Sequence, residues 1–141
     1  MVDRDTLAAI GEVVVDAAVL EYWIAVLVAA VEDKDDNRAR ELAKKPGATL
    51  DALKKVAKER PDLGALYHDA KAVLDDRHVL AHSVNLIVDD PDLEPGYSVW
   101  NPRYDAEARI TTQQILEHAQ DIRIAARRVR DRFISETSGS R

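Results

Sequence analysis

An arginine and a histidine near the end of a helical segment are the residue types that phosphate chemistry requires. Arg77 and His82 lie five positions apart in the run Arg-His-Val-Leu-Ala-His. A guanidinium holds a phosphate, and an imidazole moves a proton near neutral pH. Five helical residues turn the chain about 140° beyond a full turn, so the two side chains flank one edge of a helix. They can converge on one phosphate if the helix ends near His82, or if a second copy of the chain supplies one of them.

This pair is suited to cutting RNA without a metal ion. His82 would take the proton from a 2′-hydroxyl, and the alkoxide would attack the adjacent phosphorus to leave a 2′,3′-cyclic phosphate. Arg77 would bind the non-bridging oxygens, and a second His82 from a partner chain would protonate the leaving 5′-oxygen. The alternative is structural: Arg77 interacts favourably with the negative end of the helix dipole and with nearby carboxylates, while His82 caps the helix.

Further titratable residues surround this pair. Asp75, His78 and His82 share one helical face, and oxygen-plus-imidazole sets of this kind can hold zinc or iron. No Glu-x-x-His pattern or fourth ligand accompanies them, so we expect a surface stripe, with no metal and no cofactor. His68 and His118 have no partner set in the sequence and are interpreted as incidental residues of helix surfaces.

Aromatic and basic residues later in the chain are candidate RNA contacts. Tyr97 and Trp100 can stack on unpaired bases, although aromatics in such a segment more often pin a hairpin onto a helical core. Arg127 and Arg128 belong to an arginine-rich last helix and can contact phosphates; the alternative is a solvated face.

The elements that position these residues are mostly helices. Apolar residues recur at spacings of three and four from about Asp5 to Asp33, which predicts one long helix. The residues that recur at this spacing are Leu7, Ile10, Val14, Ala17, Ala18, Glu21, Ile24, Ala25 and Val28. Trp23 is assigned to the core or to a dimer interface, and Gly11 suggests close packing against another helix.

Four further helices follow. A short one is predicted over 38–45, before Pro46 and Gly47, and another over 50–60 with Thr49 as its N-cap. Asp62 is the predicted N-cap of the motif helix, residues 63–83. The last helix begins at Thr111-Thr112-Gln-Gln, whose composition indicates a capped start.

The segment between the motif helix and the last helix has a different character. Val84 to Asp89 and Tyr97 to Trp100 read as two short strands around a long turn. We therefore expect an all-α bundle of four to five helices with a short β-hairpin or irregular insert before the last helix. One domain is expected over residues 1–136, with a disordered tail at 137–141.

Composition limits the cellular compartment and the kinds of partner that are expected for this domain. The 141 residues include no cysteine, which excludes disulfides and thiol catalysis and favours a reducing cytoplasm. No secretory signal is visible, and the most apolar run, Tyr22 to Val31, is about half the length of a membrane span, so no membrane association is expected. The net charge of −6 argues against a protein that coats nucleic acid non-specifically.

The motif and its placement resemble the HEPN superfamily of small helical bundles. That family shares an arginine, four to six intervening residues and a histidine, often with a polar residue after the arginine, as His78 is here. Glu21, in Glu-Tyr-Trp, stands where many members place an acidic residue late in the first helix, and it would orient Arg77 or His82.

This resemblance implies a homodimer in which the motif helices meet across the interface. Many members are metal-independent endoribonucleases that act as toxins or host-defence effectors, in some cases with an antitoxin or another protein partner. Other members keep the fold and bind nucleotides, nucleic acid or proteins without cutting. The sequence therefore predicts an endoribonuclease, and its alternative is a non-catalytic binding module of the same architecture.

Overall fold

The computed structural model describes residues 4–45, 47–82, 84–86, 96–101 and 106–138. Side chains are described for residues 4–45, 47–75 and 110–138. The elements in chain order are α1 (Arg4–Val31), α2 (Asp36–Ala43), α3 (Ala48–Glu59), a 3₁₀ turn (Pro61–Leu63), α4 (Gly64–His82), β1 (Val84–Leu86), β2 (Gly96–Asn101), β3 (Ala106–Thr111) and α5 (Thr112–Ser138). The described chain is mostly helical, as predicted.

Two long helices, α1 and α5, form the centre of the bundle. The hydroxyls of Thr6 and Thr112 lie 2.6 Å apart at their first turns, and the rings of Trp23 and Phe133 lie 5.9 Å apart near their other ends. The two helices therefore run side by side in the same direction. The core between them is made of small and branched aliphatic residues: Ala9, Val13, Ala17, Leu20, Ile24, Leu27, Ile115, Ala119, Ile122, Ala126 and Val129.

The residues of α1 that recur at helical spacing are mostly not the buried ones in the first half of the helix. Leu7 and Val14 are 57% and 54% exposed, whereas the neighbouring Thr6 and Val13 are buried. Apolar residues surround this helix on nearly every side, so the spacing rule fits more than one face. Packing against α5 selects one face as the interior and leaves an apolar face outside.

The caps of the shorter helices also differ from prediction. Gly47 is the N-cap of α3, with φ of 79°, and Thr49, predicted for that role, is buried in the first turn. A glycine adopts this left-handed conformation without steric cost, which explains why the helix begins there. Asp62 lies inside the 3₁₀ turn, and its carboxylate accepts hydrogen bonds from Arg60 and Arg132.

The insert before α5 is a three-stranded antiparallel sheet in the order β1-β2-β3. The two predicted strand regions contribute β1 and β2, and Ala106–Thr111 adds a third strand that the sequence analysis did not predict. Alanine and glutamate disfavour strands, so β3 depends on its pairing with β2.

The two ends of α5 are fixed differently. The Thr111 hydroxyl accepts from the Gln114 amide at 3.1 Å, and the Gln114 side chain accepts from the Thr111 amide at 2.9 Å. This reciprocal capping confirms the predicted start. The helix continues to Ser138, so residues 137 and 138, which were assigned to a disordered tail, are helical. Residues 139–141 of that tail lie outside the described residues.

Helix α1 is long and apolar enough, by length and composition alone, to cross a membrane. However, 44% of its most apolar stretch is buried within the bundle. A core helix of a soluble protein passes the same test, so this property is weak evidence on membrane association.

Candidate functional site

The backbone places the arginine–histidine motif at the C-terminal end of α4. This helix ends at His82, and β1 begins two residues later at Val84. The helix end thus meets the condition under which Arg77 and His82 can converge within one chain. The side chains of Arg77, His78 and His82 lie outside the described side chains, so their mutual geometry stays a prediction.

Ion pairs between α4 and α5 show how the two helices are oriented relative to each other. Asp69 receives a hydrogen bond from Arg128 at 3.2 Å, and Asp62, just before α4, pairs with Arg132 near the end of α5. The two helices are therefore antiparallel. Because both rise equally per residue, the motif end of α4 lies level with the first turns of α5.

The sheet begins beside the motif. Val84 of β1 pairs with Trp100 of β2, so the Trp100 backbone lies next to the segment that leaves His82. Tyr97, three residues earlier on β2, pairs with Ile110 of β3. Of the two predicted aromatic contacts, Trp100 is thus nearer to the motif along the sheet. The side chains of Tyr97 and Trp100 lie outside the described side chains.

The predicted supporting carboxylates occupy different positions. Asp75 is exposed on α4, and its carboxylate accepts a 2.5 Å hydrogen bond from Lys71, one turn earlier. This contact raises the pKa of the Lys71 ammonium. Glu21 is half-buried on α1, the helix that packs against both α4 and α5. Asp75 is therefore already engaged by a lysine. Glu21 belongs to the second half of α1, which packs beside the second half of α5, so it lies level with the first half of α4 and not with the motif turn.

A metal centre finds no support among the described side chains. No group of three or more histidine, aspartate or glutamate residues among them is arranged to hold an ion. The proposed ligands His78 and His82 are outside that set, so the Asp75, His78 and His82 combination is not tested by this observation.

Most arginines of α5 have carboxylate partners. Arg123 pairs with Glu12 at 3.0 Å and with Asp16 at 2.9 Å, which raises the pKa of its guanidinium, mainly through the contact with Asp16. The others are Arg128 with Asp69, Arg130 with Asp131, and Arg132 with Asp62 and Glu136. The pairs of Arg123, Arg128 and Arg132 with Glu12, Asp16, Asp69 and Asp62 join α5 to other elements, and the remaining pairs lie within α5. Much of the apparent basic surface is therefore neutralised.

Arg127 is the exception among the arginines of the described α5. It is exposed and lines a shallow groove of about 180 Å³ together with Trp23, Val19 and Arg130. The groove also contains Arg123 and Asp16. Of the two predicted phosphate contacts, Arg127 is available for an anion, and Arg128 would have to share its guanidinium with Asp69. Trp23, predicted to be core or interface, is half-buried at the edge of this groove.

His118 is a residue near the motif that the sequence analysis set aside. It lies ten residues before Arg128 on α5, and the antiparallel pairing therefore places it level with about residue 79 of α4. Its Nε2 atom is buried and has no hydrogen-bond partner in the described part of the chain. His118 therefore has a partly buried side chain and is not an incidental surface residue. Only the tertiary arrangement reveals this placement, because 36 residues separate His118 from His82.

Comparison of the chain with protein-family models, with curated proteins and with solved structures finds no match. The assignment of a function therefore depends on the motif, the resemblance that it carries and the geometry around it.

Proposed function

We propose that the protein is a metal-independent endoribonuclease of the HEPN type that acts in the cytoplasm. The observation that supports this best is the end of α4 at His82, with β1 beginning directly afterwards. With the helix ending there, Arg77 and His82 can approach one phosphodiester from a single chain.

In the proposed reaction His82 is the general base and Arg77 the group that stabilises charge. His82 removes the proton from the 2′-hydroxyl, and the oxygen forms a bond to the adjacent phosphorus. The bond from phosphorus to the 5′-oxygen breaks, and that oxygen takes up a proton from a second imidazole or from water. Arg77 binds the two non-bridging oxygens as negative charge increases on them.

The proposed RNA path runs from the sheet toward α5. Trp100 lies beside the chain that leaves the motif, and its indole would stack on an unpaired base next to the cleaved bond. Tyr97 would contact a more distant nucleotide. Arg127 would bind a phosphate in its groove, and Arg128 would contribute weakly because Asp69 already holds it.

The HEPN resemblance also carries a proposal about assembly and role. A homodimer would allow His82 of one copy to act as the acid for a bond attacked at the other copy. An enzyme that cuts RNA without a metal would be suited to a role as a toxin or phage-defence effector, and an antitoxin would control it.

The second candidate is a non-catalytic HEPN-like module that binds a protein partner or a nucleotide. The observation that favours it is electrostatic. The net charge is −6, and carboxylates pair with most of the α5 arginines, which weakens attraction for an RNA backbone.

The decisive experiment is cleavage of RNA by the purified protein in EDTA, with His82→Ala and His68→Ala alongside. His68 is an exposed histidine on the same helix and serves as the matched control. We expect 2′,3′-cyclic phosphate ends from the wild type and from His68→Ala. The rate should fall about 10²- to 10⁴-fold in His82→Ala. Absence of cleavage across structured and unstructured RNAs, with the protein folded, would support the binding module instead.

Mixing two inactive variants distinguishes a site within one chain from a shared site. If each site is complete within one chain, Arg77→Ala mixed with His82→Ala stays inactive. If the site is shared across a dimer, the mixture regains part of the activity because one composite site contains both intact groups.

A further inference from the structure

Helix α1 exposes an apolar face that no described residue covers. Leu7, Val14, Val15, Val19 and Tyr22 are 57%, 54%, 61%, 42% and 57% exposed. The small residues Ala8, Gly11 and Ala18 lie between them and are also exposed. These eight residues are called the α1 face below. The five large side chains form one contiguous apolar patch, and exposed patches of this kind often mark an interaction site.

The α1 face continues a surface that is already covered further along the helix. Ala25 is buried, and Ala39 and Leu42 of α2, which packs on α1, are buried as well. Where α2 stops, an open groove remains, lined by Tyr22, Val26 and Ala43 among others. A helix placed along the α1 face would therefore extend the packing that α2 begins.

Six of the eight residues of the α1 face form a pattern of side-chain sizes that is symmetric about its centre. Reading outward from the adjacent Val14 and Val15, small residues follow at Gly11 and Ala18, and large ones at Leu7 and Tyr22. An antiparallel copy of the helix would place Val14 level with Val15, Gly11 with Ala18, and Leu7 with Tyr22. Each large residue would have a large partner, and each small residue would allow close approach at the same height.

Gly11 supports this arrangement independently. A Cβ atom added there would meet no described atom within 4 Å, so packing within the described part of the chain does not require glycine. Glycine within a helix lowers stability, and the exposed side of α1 gives no reason to keep it. A neighbouring helix that approaches closely at this height supplies such a reason.

Charges select the occupant of the face. Helix α1 carries four carboxylates and a single basic residue, Arg4, whereas helices that lie on membranes border their apolar face with lysine and arginine. In the antiparallel arrangement the first turn of the second copy, with Arg4 and Asp5, would reach the groove beside Tyr22. That groove carries Asp36 and Arg40, so each charge would find an opposite one.

We propose that the α1 face is the interface with a second copy of this chain, packed antiparallel about a two-fold axis beside Val14 and Val15. This interface depends on α1 and α2 alone. It is distinct from the meeting of motif helices that the HEPN resemblance implies, and it holds whether or not the protein cuts RNA. It is isologous, because the same face is used by both copies.

The first test is the mass of the protein by light scattering and sedimentation from about 1 to 100 μM. We expect a dimer whose dissociation constant rises about 100-fold or more in Val15→Glu, because a buried unpaired carboxylate opposes association. Ile134→Glu is the matched control, since Ile134 is 51% exposed on α5 and lies outside the face. A monomeric wild type at the highest concentration would overturn the proposal.

The Gly11→Leu variant distinguishes a close helix–helix contact from an unspecific apolar contact. Leucine adds apolar surface and favours the helix, so an unspecific apolar contact would become stronger. The proposed contact should weaken about 10-fold or more, because the new side chain meets Ala18 of the second copy. A tighter dimer in Gly11→Leu would overturn the proposed packing.

Engineered cysteines test the direction of packing, and the chain has no native cysteine to interfere. An oxidised mixture of Leu7→Cys and Tyr22→Cys should form a linked dimer. Leu7→Cys alone should not, because the two copies of residue 7 would lie about 22 Å apart along the axis. Linkage of Leu7→Cys with itself would show a parallel pair and overturn the proposal. Co-flotation of monomeric protein with phosphatidylglycerol vesicles would identify a membrane as the occupant instead.

Discussion

Two adjacent valines on α1 allow a direct test of which face of the helix is the interior. Val13 is 2% exposed and Val14 is 54% exposed. Replacing either by alanine removes the same two carbon atoms from the same helix. The helix propensity gained, about 0.5 kcal/mol, is therefore common to both variants and cancels in the comparison.

The difference between the variants follows from burial. At Val13 the loss of two buried carbons costs about 1.6 kcal/mol of transfer free energy, and the cavity left between α1 and α5 raises the total to about 2–3 kcal/mol. At Val14 the side chain is already half in water, so the cost of truncation nearly balances the gain in propensity. The free energy of unfolding should therefore be about 1.5–2.5 kcal/mol lower in Val13→Ala than in Val14→Ala.

Urea denaturation followed by far-ultraviolet circular dichroism measures this difference. For a domain of this size it corresponds to a shift in the midpoint of about 1 M. The titration is repeated at several protein concentrations, because a dimer through the α1 face would add a concentration-dependent contribution at Val14 alone. Equal destabilisation by both substitutions at the lowest concentration would refute the inward register of α1.

Two further predictions concern polar contacts between helices. The Arg60 guanidinium lowers the pKa of the Asp62 carboxyl to about 2 and also lowers the pKa of Glu136. Depressed carboxyl pKa values contribute stability that is present above about pH 4 and lost as the pH falls toward 2. Denaturation midpoints between pH 5 and 2.5 should therefore decline less steeply in Asp62→Asn/Glu136→Gln than in wild type, and parallel profiles would contradict the role of the cluster. Thr6→Val should cost about 1–3 kcal/mol, because it removes the partner of the Thr112 hydroxyl at 2.6 Å. A double-mutant cycle with Thr112→Val checks this: the double variant should cost less than the sum of the two single changes, and strict additivity would show that the pair is not coupled.

Local residue chemistry was sufficient to predict the order and type of most elements. Helical spacing and the scarcity of turn residues predicted the long first helix, and Thr111 with Gln114 predicted the start of α5, because capping depends on residues within one turn of each other. The Arg77 and His82 motif was likewise visible at its place near the end of a helix. Its chemistry remains a proposal, because spacing alone does not bring two side chains to one phosphate.

Interactions between distant parts of the chain decided the rest. The third strand forms because β2 pairs with it, although its residues favour strands poorly. The partners of the α5 arginines and the burial of His118 are likewise set by helices that are far apart in sequence.

The sequence by itself determined that α1 is a helix with apolar residues on almost all sides. It did not determine which side faces inward, because a spacing of three and four residues fits several overlapping stripes. The tertiary structure decided this by packing Val13 and Leu20 against α5 and leaving Val14, Val15 and Tyr22 outside. Whether a residue is buried depends on which other residues pack against it, and only the folded chain determines those residues.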